Sequence, residues 1–189
     1  MSEPKLFMIL LGCKPTGRHT EQHDVFFGMA YELKELVPEI EAFWPDAGKI
    51  HIDAWREVTQ VDGFRIKVST KSDSDRFRNP DYNKLFFINL GGYQPNRFEE
   101  QHYFLLTVKE NRTAAIKDAK QTMFFKSNHF GKAVSHIDDK YGIDVDEVYE
   151  IEEILSPGQK EKYEISFESS DGKTTDEIHL GYLKLSQLR

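Results

Sequence analysis

Two short phrases put titratable side chains at strand spacing, and each occurs twice in the chain. Glu21-Gln22-His23 returns as Glu100-Gln101-His102, and His51-Ile52-Asp53 returns as His136-Ile137-Asp138. Residues two apart on a strand share a face. Glu21 is therefore expected beside His23 and Glu100 beside His102. Likewise His51 is expected to share a face with Asp53 and Trp55, and His136 with Asp138. If the two strands of a copy are neighbours, each copy gathers two imidazoles and two carboxylates. Such a set can ligate a divalent metal or do general acid-base work. The same groups also serve structure, because a carboxylate accepting a bond from an imidazole satisfies half-buried polar atoms and pins strand register. Spacing does not decide between them, since Glu-x-His and His-x-Asp pairs lack the specificity of a helical HExxH. A bound metal would fall to His23, His51, Glu21 and Asp53, because the first copy keeps Asp24 and Trp55 where the second departs.

Other chemistries find less support. Cys13 and His23 would make a thiol-imidazole pair across a turn, but the matching position in the second copy is Gly92. A small packed thiol is the expected role of Cys13. Gly91-Gly92 lacks the further glycines and the helix start of a phosphate-cradling loop. Ser135-His136-Ile137-Asp138 is adjacent only in sequence, whereas a catalytic triad is defined by geometry.

The elements that must hold these residues follow from periodicity. Lys5–Asp24 and Lys84–Tyr103, offset by 79 positions, share Lys-Leu-Phe, an Ile, a Leu-Gly pair, an Arg and Glu-Gln-His. That degree of identity marks an internal repeat. Residues 5–11 and 84–90 are apolar runs stopped by glycine and read as buried strands; 21–30 and 100–108 alternate and read as their partners. Leu33, Leu36, Val37, Ile40, Phe43 and Trp44 recur at helical spacing, with Pro38 forcing a kink or a second helix start. In the second copy Thr113–Phe125 carries the helical stripe. Lys49–Val58 and Gly63–Val68, joined through Val61-Asp62-Gly63, close the first copy; Glu147–Leu155 and Tyr163–Phe167, joined at Ser156-Pro157-Gly158, close the second. The expectation is an α+β protein, an internally duplicated β-β-α-β-β unit with pseudo-two-fold symmetry and mostly antiparallel sheet. Its parts are a first copy at 1–68, a polar linker at 69–83, a second copy at 84–167, and a C-terminal strand at 168–189 that completes the second copy and covers an edge.

Composition narrows the function classes. A net charge of −7, with neither half basic, opposes phosphate-dominated nucleic-acid binding. The longest apolar run, Leu6–Leu11, is far short of the ~20 residues a membrane helix needs. A single cysteine excludes an internal disulfide framework and fits a reducing cytoplasm.

The segments "LLGCKPTGRHTEQHDVFF" and "KIHIDAWREVTQVDGFRI" resemble the domain-of-unknown-function family numbered 1543. In that family a Leu-Gly-Gly turn, a Glu-x-His-Asp strand and a His-x-Asp-x-Trp strand recur in one or two copies. Residues 5–68 match most closely, 84–167 look like a divergent second copy, and "IHLGYLKL" looks like the family's ending. Tyr103 stands where the first copy has Asp24, and Lys140 where Trp55 would fall. The resemblance supports the fold and transfers no catalytic residue. The functional expectation is a cytoplasmic, non-enzymatic module for a small molecule or a protein, monomeric or homodimeric, needing no cofactor. The alternative is a metal-dependent hydrolase with a metal-activated water.

Overall fold

In the computed structural model, residues 3–71, 83–93, 96, 98–121, 143–172 and 174–189 are described. His136 and Asp138, most of the 69–83 tract and the last residues of the helix expected at 113–125 lie outside them. In chain order the strands are β1 (Lys5–Cys13), β2 (Gln22–Ala30), β3 (His51–Glu57), β4 (Gln60–Val61), β5 (Phe64–Thr70), β6 (Lys84–Tyr93), β7 (Glu100–Lys109), β8 (Ile143–Glu150), β9 (Tyr163–Ser169) and β10 (His179–Lys184). A 3-10 turn at Leu33–Leu36 runs into helix α1 (Val37–Phe43), and α2 is Arg112–Ala119. Short helices occupy Ile151–Ile154 and Pro157–Lys162. The chain is thus α+β, and the pairings between described strands are antiparallel. No helix among the described residues is long and apolar enough to cross a membrane.

The chain divides into two compact units, Met1–Pro80 with Leu155–Arg189, and Asp81–Ile154. The first holds a four-stranded sheet in the order β10-β3-β1-β2 and a three-stranded sheet β4-β5-β9. Its core is built by alternation: Phe7, Ile9 and Leu11 of β1 point to one side, where Phe26, Ile52, Leu36, Val37 and Ile40 join them. Each such side chain fully buried is worth about 1.5–3 kcal/mol. Pro38 sits in the first turn of α1, where its missing N–H goes unmissed, so it starts a helix rather than breaking one. Asp62 and Gly63 both have positive φ, 52° and 78°, as a two-residue hairpin turn between right-twisted strands requires.

In the second unit the sheet order is β7-β6-β8, matching β2-β1-β3 of the first. Phe86, Ile88 and Leu90 pack on Ala115 and Ala119 of α2. The Asn111 side chain caps that helix by accepting the Ala114 N–H at 2.9 Å.

Three expectations change. The strand expected at Glu147–Leu155 ends at Glu150, and Ser156-Pro157-Gly158 opens a helix instead of a turn. Ser156 accepts the Gln159 N–H and Pro157 occupies the first turn, which are helix-start signals. The Gln159 side chain is buried, accepts the Met29 N–H at 3.0 Å and donates to the Met29 carbonyl at 3.4 Å. Finally, β9 pairs with β5 and β10 with β3. The strands assigned by sequence to the second copy therefore complete sheets of the first unit.

Candidate functional site

The register of the first sheet gathers the predicted polar residues around one glycine. Gly12 of β1 lies opposite His23 of β2 and opposite His51 of β3. Opposed residues share a face, so the two imidazoles flank a position that carries no side chain. Between Leu10 and Leu11 the β1–β3 register slips by one: Leu11 opposes Ile52 while Leu10 opposes Ala54. Asp53 is the extra residue of a β-bulge, a device that re-aims a side chain. It stays beside His51. Trp55, however, now opposes Ile9 and packs on the core. The expectation that His51, Asp53 and Trp55 share a face is corrected by the bulge.

Four donors converge here. His51 Nε2 lies 3.1 Å from Glu21 Oε1 and 3.2 Å from Asp53 Oδ1. His23 Nε2 lies 3.3 Å from Asp53 Oδ2 and 3.8 Å from Glu21 Oε2. The His51 side chain is 5% exposed, whereas those of His23 and Glu21 are 47% and 45% exposed. These separations are those of ion pairs, yet His51 Nε2 and Asp53 Oδ2 are both buried without a hydrogen-bond partner. Distance alone misleads in this case, because a hydrogen bond weakens steeply when the N–H is misdirected. Both atoms instead crowd the space above Gly12, where a Cβ would stand 2.5 Å from His51 Nε2 and 2.6 Å from Asp53 Oδ2. As they stand, no three His, Cys, Asp or Glu side chains among the described residues are arranged to hold a metal ion.

Strand β10, which sequence reasoning did not connect to the site, supports it from the far side. The Tyr182 ring lies 4.2 Å from that of His51, and His179 stacks on Trp55 at 3.9 Å. Tyr182 also lines an open groove of about 560 Å³ with Trp44, Lys49 and Lys184, within the size range of small-molecule sites. The aromatic spacing in "IHLGYLKL" is the one signal that pointed there. Cys13 does not join: it neighbours Gly12 on β1, so it faces the opposite side, and it is buried. Burial, and then the charge of Glu21, push its thiol pKa up, which suits a packed residue rather than a nucleophile.

The second unit repeats the frame with different occupants. Gly91 opposes His102, but on its other side stands Asp144, and the bulge between Asn89 and Leu90 makes Asp146 the extra residue. The structural counterparts of His51 and Asp53 are therefore Asp144 and Asp146, not His136 and Asp138 as the repeated His-Ile-Asp phrase implied. His102 Nε2 lies 3.9 Å from Glu100, and its Nδ1 lies 3.2 Å from Asn89 Oδ1. Since Oδ1 accepts, the Nδ1-protonated ring donates there.

With fold and geometry in hand, the chain is an α+β protein of mostly antiparallel sheet carrying an imidazole-carboxylate cluster on a sheet face. Residues 18–68 match the family model described as Domain of Unknown Function (DUF1543), so the resemblance read from sequence holds over that segment. It contains Glu21, His23, His51 and Asp53. Among solved structures the chain is similar to protein Il1583 from Idiomarina loihiensis, with 20% identity, a TM-score of 0.62, and coverage of 97% of this chain and 99% of that one. That likeness speaks to the fold. No curated protein matches the chain.

Proposed function

We propose that the chain is a cytoplasmic, non-enzymatic binding module whose ligand meets the cluster of Glu21, His23, His51 and Asp53. One observation carries this reading: two buried polar atoms, His51 Nε2 and Asp53 Oδ2, make no directed hydrogen bond, although Glu21 and His23 stand at 3.1 Å and 3.3 Å from them. A scaffold role would bond them to each other, because an unsatisfied buried polar group costs about 1–3 kcal/mol. Sites that await a ligand carry such unmet groups at the expense of stability. The adjoining groove, reached through Tyr182, offers Lys49 and Lys184 to an organic extension of the ligand. A net charge of −7 argues that the partner is a small molecule or ion rather than nucleic acid.

The test is Asp53→Asn, which keeps shape and removes charge. The ligand-free variant should unfold at the wild-type urea midpoint or above it. It should also lose the thermal stabilisation that wild type shows against a panel of metal ions and small organic acids. A variant destabilised by 2 kcal/mol or more, beside a wild type that responds to nothing in the panel, would make the cluster a scaffold.

A further inference from the structure

We infer that β10 is a dimerisation strand: two copies of the chain pair their β10 edges antiparallel, about a two-fold axis at Leu180. The inference stands apart from the binding reading above. β10 is hydrogen-bonded to β3 on one side, and among the described residues it has no partner on the other. Its side chains alternate. His179 and Leu183 are half-buried, whereas Leu180, Tyr182 and Lys184 are exposed. Gly181, at φ 130°, takes up the extra residue that β10 carries against β3. Ile178, Leu180 and Tyr182 are 58%, 81% and 62% exposed, so an unpaired edge carries three large apolar side chains on one face. Edges of this kind recruit another strand.

The sheet behind the edge continues the pattern. Val25 opposes Leu10, Leu10 opposes Ala54, and Ala54 opposes Leu180. Opposed residues share a face, so one apolar row crosses all four strands. Its first three members are half-buried, and Leu180 ends it in solvent. A second copy is the occupant that fits. A two-fold axis normal to the sheet makes the interface self-complementary. Centred on Leu180, it sets Leu180 against Leu180 and Ile178 against Tyr182, apolar against apolar throughout. The same register brings Lys184 opposite Asp176, cation to carboxylate, at both ends. Asp176 is held in place by accepting the Thr59 N–H at 3.1 Å and the Thr59 hydroxyl at 2.6 Å. The neighbouring registers lose this match. Centred on His179, the axis would set Tyr182 against Asp176; centred on Gly181, it would set Ile178 against Lys184.

Sedimentation equilibrium of the full chain, run from about 1 to 200 μM, should show conversion toward twice the 22.0 kDa of one chain. Leu180→Lys places like charges opposite each other on the axis and should weaken the dimer at least about 100-fold. Because Leu180 is exposed in the single chain, the urea midpoint of the dilute variant should match that of wild type. Cysteine substitution reads the register. Opposed Cβ atoms stand about 4.5–5.5 Å apart, close to disulfide reach. Leu180→Cys should therefore cross-link to itself under mild oxidation and Ile178→Cys should not, while the buried Cys13 stays out of the reaction. A chain that is monomeric at the highest concentration overturns the proposal, as does a dimer that Leu180→Lys leaves intact. Cross-linking through Ile178→Cys in preference to Leu180→Cys overturns the axis.

Discussion

Replacing Gly12 with alanine probes how closely His51 and Asp53 pack over β1. The new Cβ would lie 2.5 Å from His51 Nε2 and 2.6 Å from Asp53 Oδ2, against an ordinary contact of 3.4 Å or more. The obstructing atoms must therefore retreat by 0.9 Å (3.4 − 2.5) and 0.8 Å (3.4 − 2.6). Asp53, 27% exposed, can swing outward, but His51 is 5% exposed and lies against Tyr182. Overpacking of this kind costs typically about 1–3 kcal/mol. Alanine recovers roughly 0.5–1 kcal/mol over glycine in a strand interior. The net expectation is a loss of about 0–2.5 kcal/mol. Urea unfolding followed by tryptophan fluorescence reads it well, because Trp44 and Trp55 are the chain's two tryptophans and both pack on this unit's core. In an Asp53→Ala background one of the two clashes is gone, so the cost should fall, with a coupling of at least about 0.5 kcal/mol. A Gly12→Ala protein more stable than wild type, or a cycle additive within error, would refute the crowding on which the site rests.

Three further outcomes are expected. Gln159→Ala strands the N–H and carbonyl of Met29 and should lower stability by about 2–4 kcal/mol in urea; a loss under 1 kcal/mol would show that the buried amide is dispensable. The raised Cys13 thiol pKa means that the folded protein keeps its proton longer than the unfolded chain does. That contribution is fully present below the ordinary thiol value and is lost as pH rises through the folded one. Urea midpoints of wild type should thus fall more steeply above pH 9 than those of Cys13→Ala, and rapid alkylation of the native thiol at pH 8 would contradict the burial. At Gly158, in a short helix, an added Cβ meets nothing, so Gly158→Ala should stabilise by up to about 1 kcal/mol; a loss of stability in calorimetry would contradict the helix.

Much of this fold can be read in the sequence because its signals are local. The apolar runs gave β1 and β6, although Gly12 and Gly91-Gly92, expected to end them in turns, lie inside strands that continue to Cys13 and Tyr93; the alternation after them gave β2 and β7. The helical stripe with Pro38 inside its first turn gave α1. What could not be read depends on choices among distant segments. Two of the three sheets among the described residues share the order outer strand, β1 or β6, returning strand, so β10 had equivalent edges to choose from, and nothing in its residues names the one taken. The candidate site was half legible. Glu21, His23, His51 and Asp53 do come together, but the His-Ile-Asp echo at 136–138 drew the second copy's equivalence to the wrong segment. Register places Asp144 there instead.

The bulge explains both the site and the misreading. Strict alternation would put His51, Asp53 and Trp55 on one face, leaving β3 a choice between a polar pair outside and a tryptophan inside. One inserted residue removes the conflict, since Ile52 and Trp55, three apart, both reach the core while His51 and Asp53 stay outside. The second unit solves the same problem at the same place: Val145 and Val148, also three apart, pack on its core, with Asp146 as the inserted residue. Deleting Asp53 should therefore remove the carboxylate and the bulge together without moving the tryptophan. Leu11 opposite Ile52, Leu10 opposite Ala54 and Ile9 opposite Trp55 then follow one another in plain alternation, so Trp55 keeps its place on the core and His51 its place opposite Gly12. The deletion should leave tryptophan as shielded from quencher as Asp53→Asn does. A deletion variant whose tryptophan fluorescence becomes open to quencher would mean that Asp53 is not the inserted residue.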